Sequence, residues 1–338
     1  MNSEDVKAIK TLLSKRQKIV IVPHKNPDGD AIGSSLGLCH YLETIGHDTR
    51  VIVPNDYPKF LKWMPGTKNV LNFEKDNADS LAYLKEADIC FTLDFNQLGR
   101  VGQMAPLLGE LETTFIMIDH HQAPDDYAQI TYSDPEMSST SEMVFNFISS
   151  MGDVHKISSE IADCLYAGIV TDTGSFKYSS TTSQTHRVVA ELIDKGANNF
   201  EVQNQIFDTN TPDRLQLLGC ALRNMVILND YNTAYTSLSQ EELDTYNYKK
   251  GDTEGFVNYG LTLQNIRFAV IFIENKEEGI IKISFRSEGS FSVNDFARSH
   301  FHGGGHINAA GGRSETSMME TKKFFEALLV NYKEQLNI

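Results

Sequence analysis

Three short apolar runs constrain this chain more than any other feature. Lys18–Val22 (KIVIV), Asp88–Leu93 (DICFTL) and Thr114–Ile118 (TFIMI) are too brief for helices. They are also too continuous for strands with one wet face, so they read as strands buried on both sides of a parallel sheet. Arg50–Val53 adds a fourth strand, and the segments Asp30–Gly46, Ala78–Glu86, Ser139–Ser150 and Ser158–Val170 carry helical spacing between and after them. Strands alternating with helices predict an α/β class, with an N-terminal parallel sheet covered by helices.

The pattern then changes. From about Thr185 to Val226 the apolar residues recur at helical spacing, around a polar stretch (NNFEVQNQIFDTNTPDR), which predicts a helical connector. Thr233–Leu238, Arg267–Glu274 and Gly279–Arg286 read as strands, and Glu254–Gln264, Val293–His300 and Glu320–Gln335 as helices, giving a smaller C-terminal α/β domain. The expected boundaries are 1–185, 186–226 and 227–338. A chain of 338 residues is long enough for two cores at roughly 150 residues per domain.

Polar residues cluster where the strands end. After KIVIV come His24, Asp28 and Asp30, with Pro27 and Gly29 shaping the turn; after DICFTL comes Asp94; after TFIMI come Asp119, His120 and His121. Asp172 follows a further apolar helix. In open parallel sheets the ligand crevice lies beyond the carboxyl ends of the strands, so these residues converge on one edge. Each one alone has a plainer explanation, as a helix cap or a structural hydrogen-bonder. Their recurrence at three strand ends points instead to metal ligation. Several carboxylates in one crevice raise each other's pKa unless cations lie between them. Oxygen mixed with imidazole suits Mn²⁺ better than Ca²⁺ or a structural zinc.

Gly33-Ser34-Ser35-Leu36-Gly37 matches G-x-S-x-G in form, but Ser35 lies inside a helix rather than at a strand-to-helix turn. Small residues packing that helix against the sheet are the expected explanation. Gly303, Gly304, Gly305 and His306 precede Asn308-Ala309-Ala310, read as a short helix whose N-terminus and glycine amides face an anion. Arg286 and Ser287, ending IIKISFR, add a fork suited to phosphate. The four cysteines (Cys39, Cys90, Cys164, Cys220) stand apart in apolar contexts and are expected as buried thiols. With no leader-like or membrane-spanning run, the protein is expected in the cytoplasm, away from membranes. The net charge of −15 disfavours long duplex nucleic acid but leaves small anionic substrates open.

HKNPDGDA, Asp94, the Asp119-His120-His121 triplet and Asp172 together resemble, in order, the four motifs of the DHH phosphoesterases. GGGHINAAG, with Arg286-Ser287, resembles the associated C-terminal substrate-binding domain, and the two-domain layout is most similar to the bacterial nanoRNase/pAp-phosphatase group. The resemblance implies two divalent metal ions, Mn²⁺ foremost with Mg²⁺ or Co²⁺ possible. His24, Asp28 and Asp94 would hold one; Asp30, Asp94, His120 and Asp172 the other. It also implies that Asp119 orients a histidine, that His121 contacts the scissile phosphate, and that short single-stranded RNA and 3′-phosphoadenosine 5′-phosphate (pAp) are substrates. Family members are often homodimers. A phosphodiesterase of linear or cyclic dinucleotides and a non-catalytic nucleotide sensor stay open as alternatives.

Overall fold

The computed structural model describes residues 1–337 and contains two compact units, Met1–Thr209 and a second beginning at Asn210. The first unit is built on six parallel strands: β1 (Lys18–Pro23), β2 (Asp48–Val53), β3 (Leu71–Asn72), β4 (Ile89–Leu93), β5 (Thr114–Asp119) and β6 (Ile130–Ser133). Their spatial order is β3-β2-β1-β4-β5-β6, and every pairing is parallel. The order reverses between β1 and β4, and that switch point is where doubly wound sheets open their ligand crevice.

Both faces of this sheet are covered. The helices are α1 (Ser3–Leu12), α2 (Gly29–Thr44), α3 (Asn77–Lys85), α4 (Ala105–Gly109), α5 (Thr140–Met151), α6 (Ser159–Asp172), α7 (Ser183–Asp194) and α8 (Asn199–Phe207). Ile19 and Ile21 of β1 enter one core with Ile32, Leu36, Phe147 and Leu165. Val20 and Val22 point the other way, into a core with Cys90, Val101, Met104 and Leu108. Two-sided burial explains why the strands read as continuous apolar runs.

The glycines of α2 pack against α6, not against the sheet as expected. A Cβ at Gly33 would lie 2.5 Å from the Cys164 carbonyl oxygen, and one at Gly37 would lie 2.5 Å from Leu165 Cδ2. Gly29 is likewise pressed against Thr171. Residues spaced by four share one helix face. Here that face is stripped so that two antiparallel helices can meet backbone to backbone. Ser35 is buried within α2. The stretch expected as a connector contains α7 and α8, which pack on α6, and a further helix in the second unit. Its polar segment is partly helical because Asn198 caps α8 and Val202 is buried.

The second unit holds a mixed sheet in the order β11-β12-β10-β9-β8-β7. Its strands are β7 (Val226–Leu228), β8 (Thr233–Leu238), β9 (Phe268–Asn275), β10 (Ile280–Ser287), β11 (Gly304–Gly305) and β12 (Ala309–Ser314). Its helices are α9 (Pro212–Arg223), α10 (Gln240–Thr245), α11 (Val293–His300), α12 (Met318–Leu329) and α13 (Lys333–Leu336). Phe268, Phe272, Phe285, Phe296 and Phe325 fill one face, and Ala269 and Ile271 face Leu217 and Phe256 on the other.

Two sequence expectations fail in this unit. Glu254–Gln264 is not an α-helix but a 3₁₀ segment, Phe256–Thr262. Glycine is a poor helix former, and Gly260 is needed where an added Cβ would lie 2.8 Å from the Ala269 Cβ of β9. The residues after the glycine run are likewise not a helix. Ala309–Ser314 pair antiparallel with β10 from Arg286↔Ala309 to Ile281↔Ser314. An open strand edge offers those backbone groups partners throughout, and AAGGRS has little helix propensity to set against it. The four cysteines are buried free thiols. Among the described residues, no helix is long and apolar enough to cross a membrane.

Candidate metal centre

The β1 loop is pinned before it delivers its acids. Asn26 donates its backbone N–H to Asn55 Oδ1 at 2.7 Å, and Asn55 Nδ2 donates back to Asn26 Oδ1 at 2.8 Å. Asp28 then caps α2, its Oδ1 accepting from the N–H groups of Asp30 and Ala31 at 3.1 Å each. Its other oxygen stays available and lies 3.8 Å from His24 Nε2. The cap of α2 is therefore Asp28 and not Asp30, and Asp28 caps with one oxygen while the other faces the site.

Two histidines are set in the same way. His24 Nδ1 donates to the Lys25 carbonyl at 2.9 Å, and His120 Nδ1 to the Met137 carbonyl at 3.2 Å. A carbonyl accepts only, so each Nδ1 carries hydrogen and each Nε2 is presented to the acids, as outer-shell partners fix histidine ligands. His24 Nε2 lies 3.5 Å from Asp94 Oδ2. His120 Nε2 lies 3.4 Å from Asp94 Oδ1, 3.5 Å from Asp172 Oδ2 and 3.9 Å from Asp30 Oδ2. His121 turns the other way, its Nδ1 donating to Asp119 Oδ1 at 2.7 Å.

Within the first unit, ligand atoms within 4.8 Å of one another thus form three groups: His24, Asp28 and Asp94; Asp30, His120 and Asp172; and Asp94, Asp119 and His121. Most of the nitrogen-to-oxygen separations exceed a hydrogen bond. They are close to the roughly 3.0–3.5 Å between two ligands of one ion bound at about 2.1 Å. Asp119 Oδ2 is buried without a hydrogen-bond partner. The donor set, mixed carboxylate and imidazole, fits divalent cations.

Electrostatics give the same answer. Burial works to lower the His24 pKa, yet Asp28 and Asp94 overcome it and push it up to about 10. His120 is held well above its ordinary value despite burial, chiefly by its contact with Asp94. Burial raises Asp172 to about 6, with Asp94 and Asp28 adding to it. Burial likewise lifts Asp30, helped by the charges of Asp94 and Asp172. Burial also opposes ionisation of Asp94, but His120 and His24 hold it well below the carboxylate range. Protons supply the positive charge that the acids demand.

Asp94 sits at φ +65°, in the left-handed region, directly after β4. Such a backbone costs on the order of 1–2 kcal/mol for a residue with a Cβ. It turns the carboxylate toward β1 and β5 rather than along the sheet.

The first turn of α5 belongs to this site and is absent from the sequence-based list. Thr140 N–H donates to Asp30 Oδ2 at 2.6 Å, Ser141 N–H to Asp30 Oδ1 at 2.8 Å, and the Thr140 hydroxyl to Asp94 Oδ1 at 2.9 Å. Ser139-x-x-Glu142 before an apolar run signals a helix start. It does not say what that start faces.

In the second unit, Arg286 Nη1 donates to the Phe285 carbonyl at 3.0 Å, and its Nε is buried without a partner. The Ser287 hydroxyl donates to the Phe291 carbonyl at 2.7 Å and accepts from Asn308 Nδ2 at 2.9 Å, so it holds the turn. Gly303 lies where a Cβ would sit 1.9 Å from the Gly311 carbonyl oxygen. Gly304 and Gly305 form β11, and Gly305 N–H donates to Asn294 Oδ1 at 2.9 Å. His306 N–H closes the hairpin on Ala309 O at 2.7 Å.

Comparison with known proteins follows the same division. Residues 18–169 match the DHH family N-terminal domain, and residues 231–332 match the DHHA1 domain. The chain is 30% identical over 318 residues to the bifunctional oligoribonuclease and PAP phosphatase NrnA of Thermus thermophilus, covering 94% of this chain and 90% of that protein. It is 27% identical over 300 residues to the protein of the same name from Bacillus subtilis, covering 88% of this chain and 90% of that one. A solved exopolyphosphatase-related protein from Bacteroides fragilis superposes with a TM-score of 0.96 at 43% identity, over 100% of this chain and 98% of that one. The chain belongs to the DHH phosphoesterase family, with the DHH domain in its first unit and the DHHA1 domain in its second.

Proposed function

We propose that this protein is a two-cation phosphoesterase that hydrolyses short oligoribonucleotides to mononucleotides and pAp to AMP. The observation that carries the reading is the meeting of His24, Asp28, Asp30, Asp94, His120 and Asp172 at the β1/β4 switch point. The names of the relatives support the choice of substrate. His24, Asp28 and Asp94 would hold one cation, and Asp30, Asp94, His120 and Asp172 the other; oxygen mixed with imidazole suits Mn²⁺, with Mg²⁺ or Co²⁺ as alternatives. Such a pair supplies an acidified water and charge neutralisation at a phosphoester.

The protein's own groups do the rest. Asp119 holds the His121 Nδ1 proton and so fixes the ring that reaches the scissile phosphate. The α5 amides satisfy part of the Asp30 carboxylate and keep it from swinging. In the second unit, the Arg286 guanidinium and the main chain of Gly303, Gly304 and Gly305 receive a substrate phosphate, with His306 beside them and Ser287 keeping the turn in place. Short RNA and mononucleotides suit a chain whose net charge is −15 better than long duplexes do.

The test is a substrate panel with Mn²⁺: di- to pentaribonucleotides, pAp, and linear and cyclic dinucleotides. Cleavage of the short RNAs and pAp is expected. Preferential cleavage of cyclic dinucleotides would replace this reading, and tight binding without hydrolysis of any would make the protein a sensor.

A further inference from the structure

Thr140 is buried at 0% exposure and touches two acids at once. Its N–H reaches Asp30, which belongs with His120 and Asp172; its hydroxyl reaches Asp94, which also faces His24. We propose that Thr140 is a positioning residue that divides the two oxygens of Asp94 between the two cation subsites. The inference rests on the two-cation reading given above.

The argument is geometric. A carboxylate is a broad two-fold rotor about its last side-chain torsion, so nothing intrinsic chooses its plane. Here the plane is chosen. Oδ1 accepts the Thr140 hydroxyl at 2.9 Å and faces His120 at 3.4 Å, while Oδ2 faces His24 at 3.5 Å. A buried hydroxyl has no water to exchange with, and its bond to a charged acceptor is among the stronger neutral-donor contacts. Without it, Asp94 is free to turn both oxygens toward one subsite. The same helix turn holds both oxygens of Asp30, so one rigid element references both subsites.

Thr140→Val replaces the hydroxyl with a methyl group and keeps the N–H to Asp30; Thr140→Ser keeps both. Mn²⁺ titration of the full chain, followed by calorimetry and electron paramagnetic resonance, reads the result without turnover. The wild type is expected to take two ions with an exchange-coupled spectrum. Thr140→Val should weaken the second ion by about tenfold or more, the usual loss for an outer-shell partner, and lose the coupling. Thr140→Ser should keep both. Wild-type affinities and coupling in Thr140→Val would overturn the inference. Fewer than two ions in the wild type would overturn the two-cation reading instead. If Thr140→Val does not fold, a crystal structure of the Mn²⁺-loaded wild type decides. One Asp94 oxygen on each ion, with the Thr140 hydroxyl still bound, supports the role; both oxygens on one ion, or the hydroxyl turned away, refutes it.

Discussion

The two units present polar groups in opposite ways. In the first, charged side chains stand at the ends of buried parallel strands, each held by a neighbour: Asp28 by the α2 amides, His24 and His120 by carbonyls, Asp119 by His121. In the second, the proposed phosphate-binding surface is mostly main chain, a glycine hairpin whose approach to its partner strand leaves no room for a Cβ at Gly303. Divalent cations need charged ligands at fixed spacing, whereas a phosphate already carries its charge and needs donors. A side-chain site survives small backbone shifts only through its supports, and a main-chain site only through its glycines.

Substitutions break that contrast in a definite order. Asp94→Ala, which removes the one acid shared by two ligand groups, should cut Mn²⁺-dependent hydrolysis of a short oligoribonucleotide by about a thousandfold or more. Initial rates measure it, and substantial residual rate would sink the shared-ligand arrangement. Gly33→Val should destabilise the first unit by about 2–4 kcal/mol, because its Cβ meets a backbone carbonyl that can move only if the whole helix moves with it. Thermal melting checks it. Gly303→Ala meets a carbonyl too, but in the hairpin. It should raise KM for short RNA while Mn²⁺ binding to the first unit stays unchanged, and altered Mn²⁺ binding would show that the units do not separate these tasks.

Acidity sharpens the contrast further. The folded pKa of His24 is raised to about 10, so its stabilisation is full below its ordinary value near 6.5 and lost as pH rises through 10. Asp172, raised to about 6, behaves likewise between its ordinary 3.8 and 6. Metal-free protein should therefore lose stability on alkalinisation, while cations displace those protons and bind more tightly. Melting with and without Mn²⁺ should show a gap that widens from pH 6 to pH 9; a gap that narrows would contradict the proton-for-cation exchange. The smallest effect is expected from Ser287→Ala, about 1 kcal/mol for hydrogen bonds that hold a turn, with Mn²⁺ binding unaltered.

The same contrast governs what the sequence discloses. The strands KIVIV, DICFTL and TFIMI were legible because both faces of the sheet are buried, and the acids and histidines because each follows such a run. Thr140 and Ser141 were not legible, since two of their three contacts come from backbone N–H groups that any residue owns. Their partner Asp30 is 110 residues away from Thr140 in sequence. The glycine run announced main-chain contact, but a helix and a hairpin draw on the same small residues. Only the open edge of β10 decided for the hairpin.

The glycine face between α2 and α6 has a consequence for the spacing of the acids. Asp28 and Asp30 ride on the first turn of α2, and Asp172 closes the last turn of the antiparallel α6. Gly33 and Gly37 set how near those helices come, one and two turns away from any ligand. The dovetail therefore acts as a calliper for the ligand span. A single added methyl group there would press the two helices apart and widen the span between Asp30 and Asp172 without touching either. The spacing of these carboxylates is in that sense written at a remove, in the thickness of a helix-to-helix seam.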